Sequence, residues 1–118
     1  MNKLGQNLCW LLGIVLVAVG VLGFVLPSPL LGYFEVDTLH NVVHLVSGLI
    51  GLWAASQGVA TSRLFLLIFG VVYGAVTVIG FAMGGSILGL FMVNMADNYL
   101  HAVIAAVCLG FGFNMSKA

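Results

Sequence analysis

The stretch His40-Asn41-Val42-Val43-His44 and its counterpart Asp97-Asn98-Tyr99-Leu100-His101, 57 positions later, carry most of the reactive side chains of an otherwise apolar chain. On a helix, residues at i, i+1 and i+4 fall within an arc of about 100°. Each stretch therefore gathers its polar residues on one face. If the two faces meet, His40, His44, Asp97 and His101 come together with Asn41 and Asn98 beside them. Three chemistries fit that set. The Asn, His and Asp side chains form a hydrogen-bonded lock between helices. Alternatively, three imidazoles and one carboxylate hold Zn or another first-row metal in four-coordinate geometry, with the Asn amides steadying the ligands. In the third reading, His44 and His101 occupy equivalent places and serve as axial ligands to haem or a chlorophyll-type macrocycle.

Part of the pattern is helix punctuation. Asp37 and Asn94 stand just before the two stretches, where an N-cap belongs, and His40 and Asp97 follow three residues later. Asn94-x-x-Asp97 has the form of a capping box, and a carboxylate in a first helical turn is favoured by the helix dipole. None of this accounts for His44 and His101. Enzymatic chemistry finds less support. Cys9 is expected at the opposite membrane face from the histidines, Ser47 has no evident oxyanion donors, and Met83, Met92 and Met95 read as apolar filler. The chain is expected not to be an enzyme.

What must position these residues follows from composition. The 118 residues are 63% hydrophobic and 5% charged, more apolar surface than a soluble fold of this size can bury. Lipid must solvate the outside. The formal net charge is zero, so no basic patch points to nucleic acid. Cys9 and Cys108 lack metal-ligand spacing and are expected as free thiols at different depths. The run after Lys3 is too long for a signal-peptide core, is followed by Pro27-Ser28-Pro29, and has a counterpart later in the chain, so it reads as a retained helix.

Four apolar segments, about 8–26, 39–57, 63–83 and 97–114, are each long enough to cross a bilayer as a helix. Pro27, Pro29, Gly84 and Gly85 end the preceding helices, and Tyr33, Phe34 and Phe91 suit connectors at the membrane interface. The halves match at an offset of 57: Gly13 with Gly70, Gly23-Phe24 with Gly80-Phe81, Leu31-Gly32 with Leu88-Gly89, Asn41 with Asn98 and His44 with His101. This is an internal duplication of a two-helix unit. Each unit crosses twice, so the repeats run parallel about an axis along the membrane normal. Both polar stretches then lie at one face. Lys3, Arg63 and Lys117 fall at the other face, with the termini, while Glu35, Asp37 and Asp97 fall with the polar stretches. The positive-inside tendency makes the termini cytoplasmic. Small residues behind each polar head (Gly48 and Gly51, Ala105 and Gly112) predict that spans two and four pack against each other, and Gly70-x-x-x-Gly74 seats a further helix.

Two stretches, Gly32 to His44 and Gly89 to His101, with their paired HNxxH and DNxxH elements, resemble the small bacterial four-span membrane proteins of domain-of-unknown-function family 4383. The resemblance covers nearly the whole chain; it implies the topology and no particular activity. The expectation is an all-α, four-transmembrane-helix bundle built from two parallel two-helix repeats, about 8–57 and 63–114, in a bacterial inner (plasma) membrane or a thylakoid. The alternative to a self-contained lock or metal site is an accessory subunit of a larger respiratory or photosynthetic complex, touching haem or chlorophyll through His44 or His101. Its partners are the lipid bilayer and either another membrane protein or further copies of itself, met within the bilayer.

Overall fold

A computed structural model describes residues 1–26, 37–84, 86–87 and 91–116. The expectations for Pro27, Pro29, Tyr33, Phe34, Glu35, Gly85 and Lys117, and the first half of the stretch from Gly32 to His44, lie outside the described residues. Four helices make up the fold: α1 (Asn2–Val25), α2 (Thr38–Gln57), α3 (Val59–Met83) and α4 (Met95–Asn114). All four are long and apolar enough to cross a membrane. Between α3 and α4, the two-residue strands β1 (Ser86–Ile87) and β2 (Phe91–Met92) pair antiparallel.

The helix ends follow local chemistry. Asp37 caps α2, its Oδ1 accepting the His40 amide at 2.8 Å. The capping box at α4 is complete: Asn94 Oδ1 accepts from the Asp97 amide at 2.9 Å, and Asp97 Oδ2 from the Asn94 amide at 3.0 Å. One residue, Gly58, separates α2 from α3, and its φ of 118° is a conformation that side-chain-bearing residues rarely adopt.

Glycines decide which helices approach closely. A methyl group on Gly13 would come within 2.8 Å of the Leu52 side chain, and one on Gly70 within 2.7 Å of Leu109. Gly23 faces the Asn41 side chain, and Gly80 faces Asn98. These contacts repeat at the sequence offset and run in opposite senses along the two helices of each pair. So α1–α2 and α3–α4 are antiparallel hairpins built alike. Their open ends are tied together: Asn2 Nδ2 donates to Ser116 Oγ at 2.7 Å, Gln6 Nε2 to the Ala55 carbonyl at 2.9 Å, and Arg63 Nε to the Met115 carbonyl at 3.3 Å. Both termini and the α2–α3 link therefore share one end of the bundle, and the polar stretches share the other.

The packing corrects three sequence expectations. The small stripes of α2 and α4 do not seat these helices on each other. Gly48 lies against Val17 and the Gly13 carbonyl of α1, and Gly112 against Leu67 of α3. Gly48 and Gly112 serve contacts inside each hairpin, whereas Gly51 also faces the Phe65 ring of α3, and α2 and α4 have no extensive backbone contact among the described residues. In the Gly70-x-x-x-Gly74 pair, only Gly70 seats a neighbour; Gly74 has nothing within 4 Å. The cysteines are free, as expected, but they are not at different depths. Because α1 begins at Asn2 and Gly5 meets Met115, Cys9 and Cys108 lie within about one helical turn of each other along the bundle. The Cys9 thiol donates to the Gly51 carbonyl at 3.2 Å.

The core is narrow, centred on Cys9, Leu66, Phe69, Tyr73 and Cys108. Large apolar side chains such as Ile14, Ile68, Val78 and Val103 point outward, the arrangement expected where lipid replaces water.

Candidate metal centre

The caps of α2 and α4 set the register of everything that follows. Asp37 fixes the first turn of α2, with His40 in that turn and His44 one turn further on the same face. The two rings lie with centroids 4.3 Å apart at 47°. The capping box fixes α4 in the same way and sets His101 one turn beyond Asp97. His101 comes back across the bundle to His40, with ring centroids 6.0 Å apart and planes at 64°. One nitrogen from each of His40, His44 and His101 lies within 4.8 Å of the other two. A tetrahedral ion with Zn–N bonds of 2.0–2.1 Å needs donors about 3.3 Å apart.

All three imidazoles are buried, His40 at 2%, His44 at 8% and His101 at 3% exposure. The Nδ1 atoms of His44 and His101 have no hydrogen-bond partner. A buried polar atom left without a partner costs about 1–3 kcal/mol, so two of them on one small cluster call for a ligand or an ordered water. The rings border a cavity of ≈ 50 Å³ whose other walls include Val43, Ser47, Phe69 and Tyr73. That volume accommodates an ion together with one small ligand, since about 10–15 Å³ of such space already holds a water.

None of the other sequence candidates supplies one of the three converging donors. Asp97 is buried in the first turn of α4 with Oδ2 turned toward the Asn94 amide, and its carboxylate is not among the converging donors. Asn41 and Asn98 are each 3% exposed, and each lies against a glycine of its hairpin partner. Their Oδ1 atoms have no hydrogen-bond partner and rest against glycine backbone. Asp37 and Asn94 act as caps.

Tyr73 is a wall of the site, its ring centroid 5.0 Å from that of His101. Phe69 stands behind it at 4.3 Å and Phe65 behind Phe69 at 4.9 Å. The signal was present: Phe65, Phe69 and Tyr73 recur at four-residue spacing, one inward stripe of α3 that ends level with the histidines.

A family model described as Domain of unknown function (DUF4383) matches residues 6–114. Neither the curated proteins nor the solved structures contain a match to the chain.

Proposed function

The chain belongs to the DUF4383 family, and we propose that it is an integral membrane protein that binds a first-row metal ion, zinc foremost, through His40, His44 and His101. The observation that carries this reading is the convergence of three buried imidazole nitrogens within 4.8 Å beside a cavity with room for a fourth ligand. Neutral nitrogen donors suit zinc and its neighbours better than magnesium or calcium, which prefer oxygen. We read the ion's role as binding or structural rather than catalytic: Cys9 bonds the Gly51 carbonyl, about two helical turns from His44, and the walls beside the imidazoles are mostly aromatic and aliphatic. A haem or chlorophyll between His44 and His101 is disfavoured by the cavity of ≈ 50 Å³, far smaller than a macrocycle.

The equivalent glycine contacts of the two hairpins support parallel repeats about an axis along the membrane normal. Lys3 and Arg63 at the end of the termini, against Asp37 and Asp97 at the other, support cytoplasmic termini in a bacterial inner membrane and an outward-facing site. A second role rests on its own observation. Asn41 seated on Gly23 and Asn98 seated on Gly80 act as a lock within each hairpin, independent of any ion.

The test is metal analysis of protein purified from metal-replete cells. About one zinc per chain is expected, falling to background in the His44→Ala, His101→Ala double variant and unchanged in Ser56→Ala. Full stoichiometry in the double variant, or no metal in the parent, overturns the reading.

A further inference from the structure

The cavity at the imidazoles shares walls with a second concavity. Ser47, Phe69 and Val72 line both, and Ile50, Phe65 and Ile68 extend the walls of the second, which measures ≈ 260 Å³. Laid end to end, the two make a groove between α2 and α3. It follows α3 from Val76 to Phe65, about 16 Å at 1.5 Å per residue, close to half of a bilayer core of about 30 Å. Ile50 and Ile68 on its rim are 50% and 57% exposed, so the groove faces sideways into the lipid rather than into the bundle.

Its polarity is ordered. The nitrogens of His44 and His101 without hydrogen-bond partners are at the head, near the membrane surface. Below Ser47 the walls are apolar, and they run toward the mid-plane. A lipid in one leaflet has the same order. Volume then restricts the lipid. A head space of ≈ 50 Å³ suits a carboxyl group beside an ion better than a glycerophosphate or an aromatic ring. Charge restricts it further. Three neutral imidazoles leave a divalent ion with two uncompensated charges in a low-dielectric site, which is costly. A carboxylate is a common fourth ligand for zinc and neutralises one charge, whereas an alcohol or an ester head neutralises none.

We propose that the protein binds a long-chain fatty acid from the surrounding leaflet, its carboxylate completing the coordination of the ion held by His40, His44 and His101 and its chain lying in the α2–α3 groove. The acid would bind as its carboxylate, its proton passing to interfacial water, with the carboxylate taking the place beside the three imidazoles that a water would otherwise fill. The proposal rests on the metal reading of the same histidines.

The experiment uses the full chain in lipid nanodiscs, zinc-loaded or stripped by chelator, with a photoactivatable palmitic acid and an alcohol of equal length as probes. Zinc content and peptide mapping of the label are the readouts. The acid is expected to label α2 and α3 peptides of the zinc-loaded protein on the order of tenfold more than the alcohol does. The excess is lost on stripping and in Ile68→Trp, which fills the groove from its lipid-exposed rim and keeps its zinc. Equal labelling by acid and alcohol, or acid labelling that survives stripping or Ile68→Trp, overturns the proposal while zinc binding stands. A loaded protein without zinc removes the metal reading and this proposal with it.

Discussion

The rings of His40 and His101 meet edge-on with centroids 6.0 Å apart, although the helices that carry them make no extensive backbone contact. Each hairpin closes on its own glycine notches, and at the polar end the imidazoles cross the gap between hairpins. An ion seated there would be a cross-link between the two repeats. It would bind the assembled bundle and not the separated hairpins.

That linkage predicts zinc-dependent stability. A ligand that binds only the folded state adds about 2.7 kcal/mol at a hundred times its dissociation constant. Unfolding in detergent, followed by tryptophan fluorescence, is expected to need more denaturant with zinc than without. Magnesium is expected to give no increment. His44→Ala is expected to erase the zinc effect while the protein still folds, because the caps and glycine notches are untouched. A zinc increment that persists in His44→Ala would contradict a three-imidazole site.

The Asn–glycine seats predict a sharp contrast among glycines. In Gly80→Ala the new methyl would collide with Asn98, and overpacking of this kind costs roughly 1–3 kcal/mol. Gly23→Ala is expected to behave alike against Asn41. Gly74→Ala and Gly110→Ala meet nothing within 4 Å, and a helical Gly-to-Ala change there is expected to be neutral or slightly stabilising. Equilibrium unfolding of the four variants under one detergent condition tests the ordering.

These contrasts also explain what the sequence could reveal. Hydropathy and length define the four helices, because a bilayer tolerates few other backbone arrangements. The polar end was legible from His44 and His101 at equivalent places, and the caps from Asp37 and Asn94. The partner of each small-residue stripe was not. Gly48 and Gly112 announce close approach without saying to which helix, and the answer depends on whether the neighbour offers a notch, as Gly13 does, or a side chain, as Leu67 does. Asp97 was ambiguous for a different reason. A carboxylate three residues after an Asn cap suits both a ligand and a capping box, and its Oδ2 is turned to the Asn94 amide. Tyr73 was overlooked because its stripe with Phe65 and Phe69 is also what an ordinary core helix carries.

The caps predict a loss that reaches the site. Asn94→Ala removes the acceptor for the Asp97 amide, worth about 0.5–2 kcal/mol. It also frees the turn that sets the register of His101. Zinc affinity, measured by competition with a chelating dye, is expected to fall in Asn94→Ala and to return in Asn94→Ser, which restores a capping oxygen. Asn114→Ala, which removes an exposed side-chain bond to the Gly110 carbonyl at the far end, is expected to leave affinity unchanged.

Orientation is testable with the chain's own thiols as a silent background. Cys9 and Cys108 are both 0% exposed, so a maleimide is expected to spare them until the protein is denatured. A new cysteine then reports its side of the membrane without the removal of either. Thr38 and Ser56 are exposed at opposite ends of α2. With the basic residues inside, an impermeant maleimide added to intact cells is expected to label Thr38→Cys. It is expected to label Ser56→Cys only after the cells are opened. The reverse pattern would turn the histidine end toward the cytoplasm, so that ions and fatty acids reach it from the inner leaflet, and it would mean that Lys3 and Arg63 do not govern insertion.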